Sequence, residues 1–218
     1  LNSIKGLGDA AIDQIVEHRP FKDVEEFLFN KEISYSKLNK KALDVMARGQ
    51  ALNALVDERF TGLKHFWSAI AVDRPKSLKK LKENIELYSP EGDFSSEEKI
   101  EHLVNLTGVF PFSLVMEQKI VDELDQHAVP PLGEWDNDLG VAWFVPREKL
   151  EKKTKNGRMY WIVKVIDSTN KNTAIKCWAV KKGSDLIYIN RPYMAKLDYD
   201  EQWGFSTRSI RYNFKLLG

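Results

Sequence analysis

The chain has 218 residues, 43% of them hydrophobic and 30% charged, with 33 Lys and Arg against 32 Asp and Glu and a formal net charge of +1. That is the composition of a globular protein with enough chain to bury a core, and no apolar run approaches the roughly 18–20 residues of a membrane span. A single cysteine, Cys177, excludes an internal disulfide and any zinc site built on several thiolates.

From the start, Leu1 to Arg19 is polar and amphipathic rather than a signal-peptide pattern, so a cytoplasmic compartment is expected. A first residue of Leu rather than Met is expected of a piece of a longer protein. After the turn Lys5-Gly6-Leu7-Gly8, Ile12, Ile15 and Val16 recur at helical spacing until Pro20 stops them. A second short helix fits Val24, Phe27 and Leu28, with Asp23 as its N-cap. A third starts near Ser36, buries Leu38, Ala42, Leu43 and Met46, and ends at Gly49. Leu63, Phe66, Trp67 and Ile70 form one apolar stripe. The polar segment from Pro75 to Phe94 reads as a partly ordered connector. Ser95 and Glu98 then form a capping box ahead of Ile100, Leu103 and Val104. A further helix carries Ile120, Val121 and Leu124, and Pro130-Pro131 breaks it.

After Gly140 the period changes to two. Val141–Val145 is a short strand, followed by a basic stretch and the hairpin turn Asn156-Gly157. Met159–Asp167, Thr173–Val180 and Ile210–Leu216 supply further strands, with a shorter one at Leu186–Ile189; Cys177 reads as a small core residue among them. Some five short strands in about 75 residues predict a small barrel. The expected class is α+β, an all-α region followed by a small β-barrel. Its parts are residues 1–52, an acidic helical connector at 53–138, and the barrel at 139–218.

Charge is segregated. Residues 1–52 carry 8 Lys and Arg against 8 Asp and Glu, residues 53–140 carry 9 against 17, and residues 141–218 carry 16 against 7. A basic C-terminal third is the footprint of something that meets phosphate, or else a solvated basic surface.

Two clusters could carry binding. In Lys5-Gly6-Leu7-Gly8-Asp9-Ala10, two glycines around one apolar residue allow a sharp turn into a helix whose first N–H groups are unpaired and whose dipole end is positive. Such a turn suits one DNA phosphate, with Leu7 as the inward anchor and Lys5 as an added cation. The same glycines would serve an ordinary helix–helix turn. The second cluster flanks the hairpin, with Lys152, Lys153, Lys155 and Arg158 at one barrel corner. Alternation puts Tyr160, Ile162 and Lys164 on one face and Trp161, Val163 and Val165 on the other, while Lys176 shares a face with Trp178. Aromatics beside lysines suit stacked bases and a followed backbone, although these rings could equally close the core. The four histidines are scattered, and no Walker loop, G-x-S-x-G elbow or nucleophile–base pair occurs. A stand-alone nuclease or other hydrolase is therefore disfavoured.

The segments Leu1-Asn2-Ser3-Ile4-Lys5-Gly6-Leu7-Gly8, Arg19-Pro20-Phe21 leading to Glu26-Phe27, and Asn39-Lys40-Lys41-Ala42-Leu43 together resemble the tandem helix-hairpin-helix region of the bacterial DNA polymerase III alpha subunit. Val141 to Val180, with Thr154-Lys155-Asn156-Gly157-Arg158-Met159 and a strand ending Ile166-Asp167, resembles that family's OB-fold domain. The order and spacing of the two blocks agree with the family, and past Leu106 the chain diverges from it, as a remote or viral member would.

The resemblance implies duplex DNA held by the hairpins, an OB-fold near the single-stranded template, and a place at the replication fork on the nucleoid. It places the polymerase aspartates, and the magnesium they use, upstream, so no cofactor and no nucleotidyl transfer are expected of this chain alone. It also implies a peptide for the sliding clamp between the blocks. There Asn84, Leu87 and Tyr88 stand loosely in a Gln-x-x-Leu-Phe pattern, and ordinary burial accounts for them as well. The competing expectation is an interaction scaffold of the replisome with incidental DNA contact; in neither case is a membrane partner expected.

Overall fold

The computed structural model describes residues 1–180 and 187–218. The chain divides into two compact units, Leu1–Pro111 and Phe112–Gly218. The architecture is α+β, an array of helices followed by a curled, half-barrel β-sheet.

The first unit opens with α1 (Asp9–His18), α2 (Val24–Phe29) and α3 (Lys40–Arg48). Asp23 caps α2 by accepting the Glu26 N–H, as its position in the sequence predicts. Helix α3 starts later than Ser36: Asn39 is its N-cap, accepting the Ala42 N–H, and Leu38 is buried just ahead of it. Then come α4 (Leu63–Trp67), which runs on into a π-helical turn at Ser68–Val72, α5 (Leu78–Tyr88) and α6 (Ser96–Thr107). The capping box of Ser95 and Glu98 is present at the start of α6.

Helix α5 corrects the expected loose connector. Ser77 caps it, and it turns Leu81 and Asn84 fully inward. Asn84 donates to the carbonyls of Ala69 (2.9 Å), inside the π-helical turn, and Asp73 (2.6 Å), its C-cap. The sequence looked polar because only two of eleven side chains are fully buried, with Ile85 partly buried against the same core. One core joins the first three helices to the π-turn and α5, with Phe27, Leu43, Met46, Phe66, Ile70 and Leu81 at its centre.

The second unit has α7 (Gln118–Gln126), then β1 (Val141–Lys153), β2 (Met159–Ile166), β3 (Asn172–Cys177), β4 (Tyr193–Lys196), β5 (Asp198–Asp200), β6 (Gly204–Thr207), α8 (Ile210–Asn213) and β7 (Phe214–Leu216). The expected short strand at Val141–Val145 is the first part of β1, which continues through the basic stretch after a register shift at Pro146–Glu148. Ile210–Leu216 is not one strand; its first half is helical. Of the expected strand at Leu186–Ile189, Leu186 lies outside the described residues and 187–189 form no strand.

The strand order is β5-β6-β3-β2-β1-β4-β7. β1 pairs antiparallel with both β2 and β4, and β3 runs parallel to β6. Leu197 alone separates β4 from β5, although the two lie near opposite ends of that order. A continuous chain can join them only if the sheet curls. Phe144, Trp161, Val163, Val165, Ile175 and Cys177 fill the inside of the curl.

Candidate nucleic-acid interfaces

In the first unit the turn before α1 is built as its glycines predict. Gly6 has φ +87°, a left-handed conformation that costs an L-residue strain. Gly8 is the N-cap of α1 with extended backbone (φ −81°, ψ 148°) and no side-chain cap. Leu7 is buried and packs into the core, whereas Lys5, Gly6, Gly8, Asp9 and Ala10 are exposed. Gly8 O receives the Ala11 and Ile12 amides, and the Lys5 amide donates to Leu106 O at 2.7 Å. Among the described residues, the amides of Gly8, Asp9 and Ala10 have no backbone acceptor. Three N–H groups therefore face solvent at the positive end of a ten-residue helix.

Lys41, quoted in the sequence only as part of a resemblance, belongs to this neighbourhood. Its Cε lies 3.8 Å from where a Cβ on Gly6 would stand. Thirty-odd residues of chain separate the two positions, so only the packing of α3 beneath the turn reveals it.

In the second unit the hairpin between β1 and β2 is a five-residue loop, Thr154–Arg158, rather than a two-residue turn. Gly157 takes φ +77°, Thr154 N–H donates to Arg158 O, and Arg158 N–H donates to Thr154 Oγ1. Lys152, Lys153, Lys155 and Arg158 are all exposed, and none is in an ion pair among the described residues. They do not share one face. Lys152 pairs across the ladder with Tyr160, and Lys153 with Met159, so their side chains point to opposite sides.

The outer face of the curl is continuous over three strands. Leu150, Ile162 and Lys176 stand abreast; one step along, Lys152 stands opposite Tyr160, and Trp178, just past β3, lies against the Tyr160 ring. Tyr160 and Trp178 are half-buried and stacked on each other, with ring centroids 4.8 Å apart and planes 28° apart. They are on the outside, as alternation predicts, yet they form one slab and not two free rings. Lys164, one of the expected cations, forms an exposed ion pair with Glu148 at 2.7 Å. Lys176 lies with Nζ 4.7 Å from the ring centroid of Trp203, itself 61% exposed. Trp203 was missed in the sequence. Its signal is the turn Asp200-Glu201-Gln202-Trp203-Gly204, where Asp200 Oδ1 accepts the Gln202 and Trp203 amides at 2.9 Å.

The three residues of the clamp pattern fare unequally. Asn84 is buried and hydrogen-bonded inside the first unit, Tyr88 is half-buried at the end of α5, and only Leu87 is well exposed (64%). An extended peptide led by a free Asn84 is not what this segment forms.

Residues 1–71 match the family described as the helix-hairpin-helix motif, a DNA-binding element found in many proteins. The match spans the Gly6–Gly8 turn, α1, α2, α3 and α4. No curated protein matches the chain. Among the described residues, no helix is long and apolar enough to cross a membrane.

Proposed function

We propose that this chain is a non-catalytic, DNA-holding part of a replicative DNA polymerase of the kind resembling the bacterial polymerase III alpha subunit. Its hairpin unit would hold duplex DNA by the phosphate backbone, and its sheet, an OB-type barrel, would hold the single-stranded template. The observation that carries this reading is the run of exposed amides from Gly8 to Ala10, without a backbone acceptor among the described residues, within the matched motif. Backbone donors at a helix start bind phosphate without reading sequence. The pairing of β1 with both β2 and β4, and of β3 parallel with β6, supports an OB-type barrel. In such barrels the face of the second and third strands binds oligonucleotides, and here that face carries Tyr160, Trp178 and Lys176.

A fluorescence titration with single-stranded, duplex and primer-template oligonucleotides at two salt concentrations tests this. Affinity should fall steeply with salt, since each phosphate contact releases counterions. Charge reversal at Lys153 and Lys155 should weaken single-strand binding, and Gly6→Val should weaken duplex binding. Parent-like binding by both variants would remove the assigned sites. Incubation with magnesium, nucleotides and a primed template should give no extension; extension would refute the non-catalytic reading.

One observation favours a second reading, protein docking in a replisome. An apolar cleft of about 700 Å³ lies between α7 and the sheet, lined by Phe112, Met116, Val121, Val129 and Trp143 and edged by Asp125 and Glu134. Unchanged DNA affinity in every variant above, with binding to a replisome partner that Trp143→Ala abolishes, would favour it.

A further inference from the structure

We infer that a cleft at the end of the aromatic slab, walled by Trp178 and flanked by Arg158 and Arg208, is a subsite for one nucleotide of the bound single strand. The base would lie on Trp178 and the phosphate between the two guanidinium groups. This rests on the reading of the curled sheet as a single-strand holder and adds to it a defined pocket and a residue, Arg208, that no motif in the sequence marks.

The cleft measures about 670 Å³ and is lined by Arg158, Met159, Trp178, Ala179, Val180 and Arg208. Its size is within the range of small-ligand sites, roughly 300–1,000 Å³. Three separate elements build it. Arg158 closes the β1–β2 loop, Trp178 follows β3, and Arg208 follows β6. The parallel pairing of β3 and β6 brings the last two together: Cys177 stands opposite Thr207, and the Trp178 amide donates to Thr207 O at 2.9 Å. Trp178 has one ring face against Tyr160 and also borders the cleft, so a base entering there would extend an existing stack. Met159 and Val180 supply apolar edges suited to a base rather than to a bare anion.

Both arginines are exposed, and neither is in an ion pair among the described residues. Two such cations at one cleft repel each other, and a phosphate relieves this by bridging them with charge-assisted hydrogen bonds. Ala179, at the rim, holds φ +54°, a left-handed backbone in a residue that has a Cβ. Strain of this kind persists where a bend is fixed by its surroundings.

The test uses the full chain and anisotropy of a labelled twelve-residue oligo-dT, with a labelled duplex as internal control. Arg208→Gln and Arg158→Gln should each weaken oligo-dT binding on the order of tenfold, lower the salt slope by about 0.7, and leave duplex affinity and the melting curve unchanged. Lys215→Gln, an exposed cation on β7, should bind as the parent does. If Arg208→Gln bound oligo-dT normally while reversal at Lys153 and Lys155 weakened it, the cleft would fall and the single-strand reading would stand. If neither change mattered, the single-strand reading itself would fail and take the cleft with it. Thymidine monophosphate that displaced oligo-dT at equal concentration, in an Arg208-dependent way, would overturn the assignment to a strand in favour of a free nucleotide.

Discussion

Gly6 and Gly8 are two residues apart and are glycine for different reasons, which single substitutions can separate. At Gly6 an added Cβ would meet only Val45 (3.7 Å) and Lys41 (3.8 Å) at ordinary contact distance, so space is not the obstacle. The obstacle is φ +87°, for which an L-residue costs about 1–2 kcal/mol. Gly6→Ala should therefore destabilise the protein by that amount in urea titration; an unchanged midpoint would contradict the left-handed turn. Gly8 has ordinary extended backbone and nothing within 4 Å of a Cβ. Gly8→Ser should leave stability equal or slightly higher, because serine is a good N-cap. Its hydroxyl would, however, engage an amide of the first turn, a donor proposed above to hold phosphate. Duplex affinity should drop while folding does not; parent-like duplex affinity would mean those amides hold no phosphate. The sequence showed both glycines and the inward Leu7. It could not show Lys41 beside them or Arg208 beside Trp178, because both come from tertiary neighbours and carry no local pattern.

Among elements, α2 is tied to the turn at residues 57–60 by Arg59, which donates to Glu25 and to Asp57. Hydrogen bonds from Arg59 hold both carboxyls below their usual range, and those to Asp57 and then Glu25 raise the guanidinium in return. A carboxylate depressed in the folded state contributes stability above its unfolded value, about 4.3 for Glu and 3.9 for Asp, and loses it as pH falls through the folded value. Arg59→Met should flatten the decline of stability between pH 4 and 2.5 and lower stability at pH 7, read from urea titrations at three pH values. A variant that kept the parent's full acid sensitivity would show that these carboxylates do not report on folding. Because the groups are only partly buried, screening by solvent keeps the effect modest. Element boundaries were legible where a local signal exists, as at the Asp23 cap and the Ser95–Glu98 box. They were lost where tertiary pairing decides: α5 looked polar with only Leu81 and Asn84 fully buried, and β4 to β6 are strands of three or four residues that exist through their partners.

At the scale of the whole chain, each unit has its own apolar core, the first centred on Phe27 and Phe66 and the second on Phe144 and Val163. The change from helical to alternating periodicity after Gly140 made two kinds of structure legible. Ile120 and Leu124 of α7, with Met116 just ahead of the helix, pack onto Trp143 of the sheet, so α7 lies in the same compact unit as the strands. The acidic stretch around α7 therefore belongs with the basic strands, and the charge segregation seen along the sequence lies within the second unit rather than between domains. The proposal that each of the two units grips DNA makes a quantitative expectation for a primer-template junction. Once one unit is bound, the other meets its stretch of the same molecule at a high effective concentration, and affinity should exceed that for duplex or single strand alone by on the order of a hundredfold. Gly8→Ser and Arg208→Gln should each return junction affinity toward that of the remaining grip, and the double variant should lose both contributions. Competition titrations with matched duplex, single-stranded and junction oligonucleotides measure this directly. A junction bound no more tightly than the better of its two parts would mean that the two sites are never occupied together on one molecule of DNA.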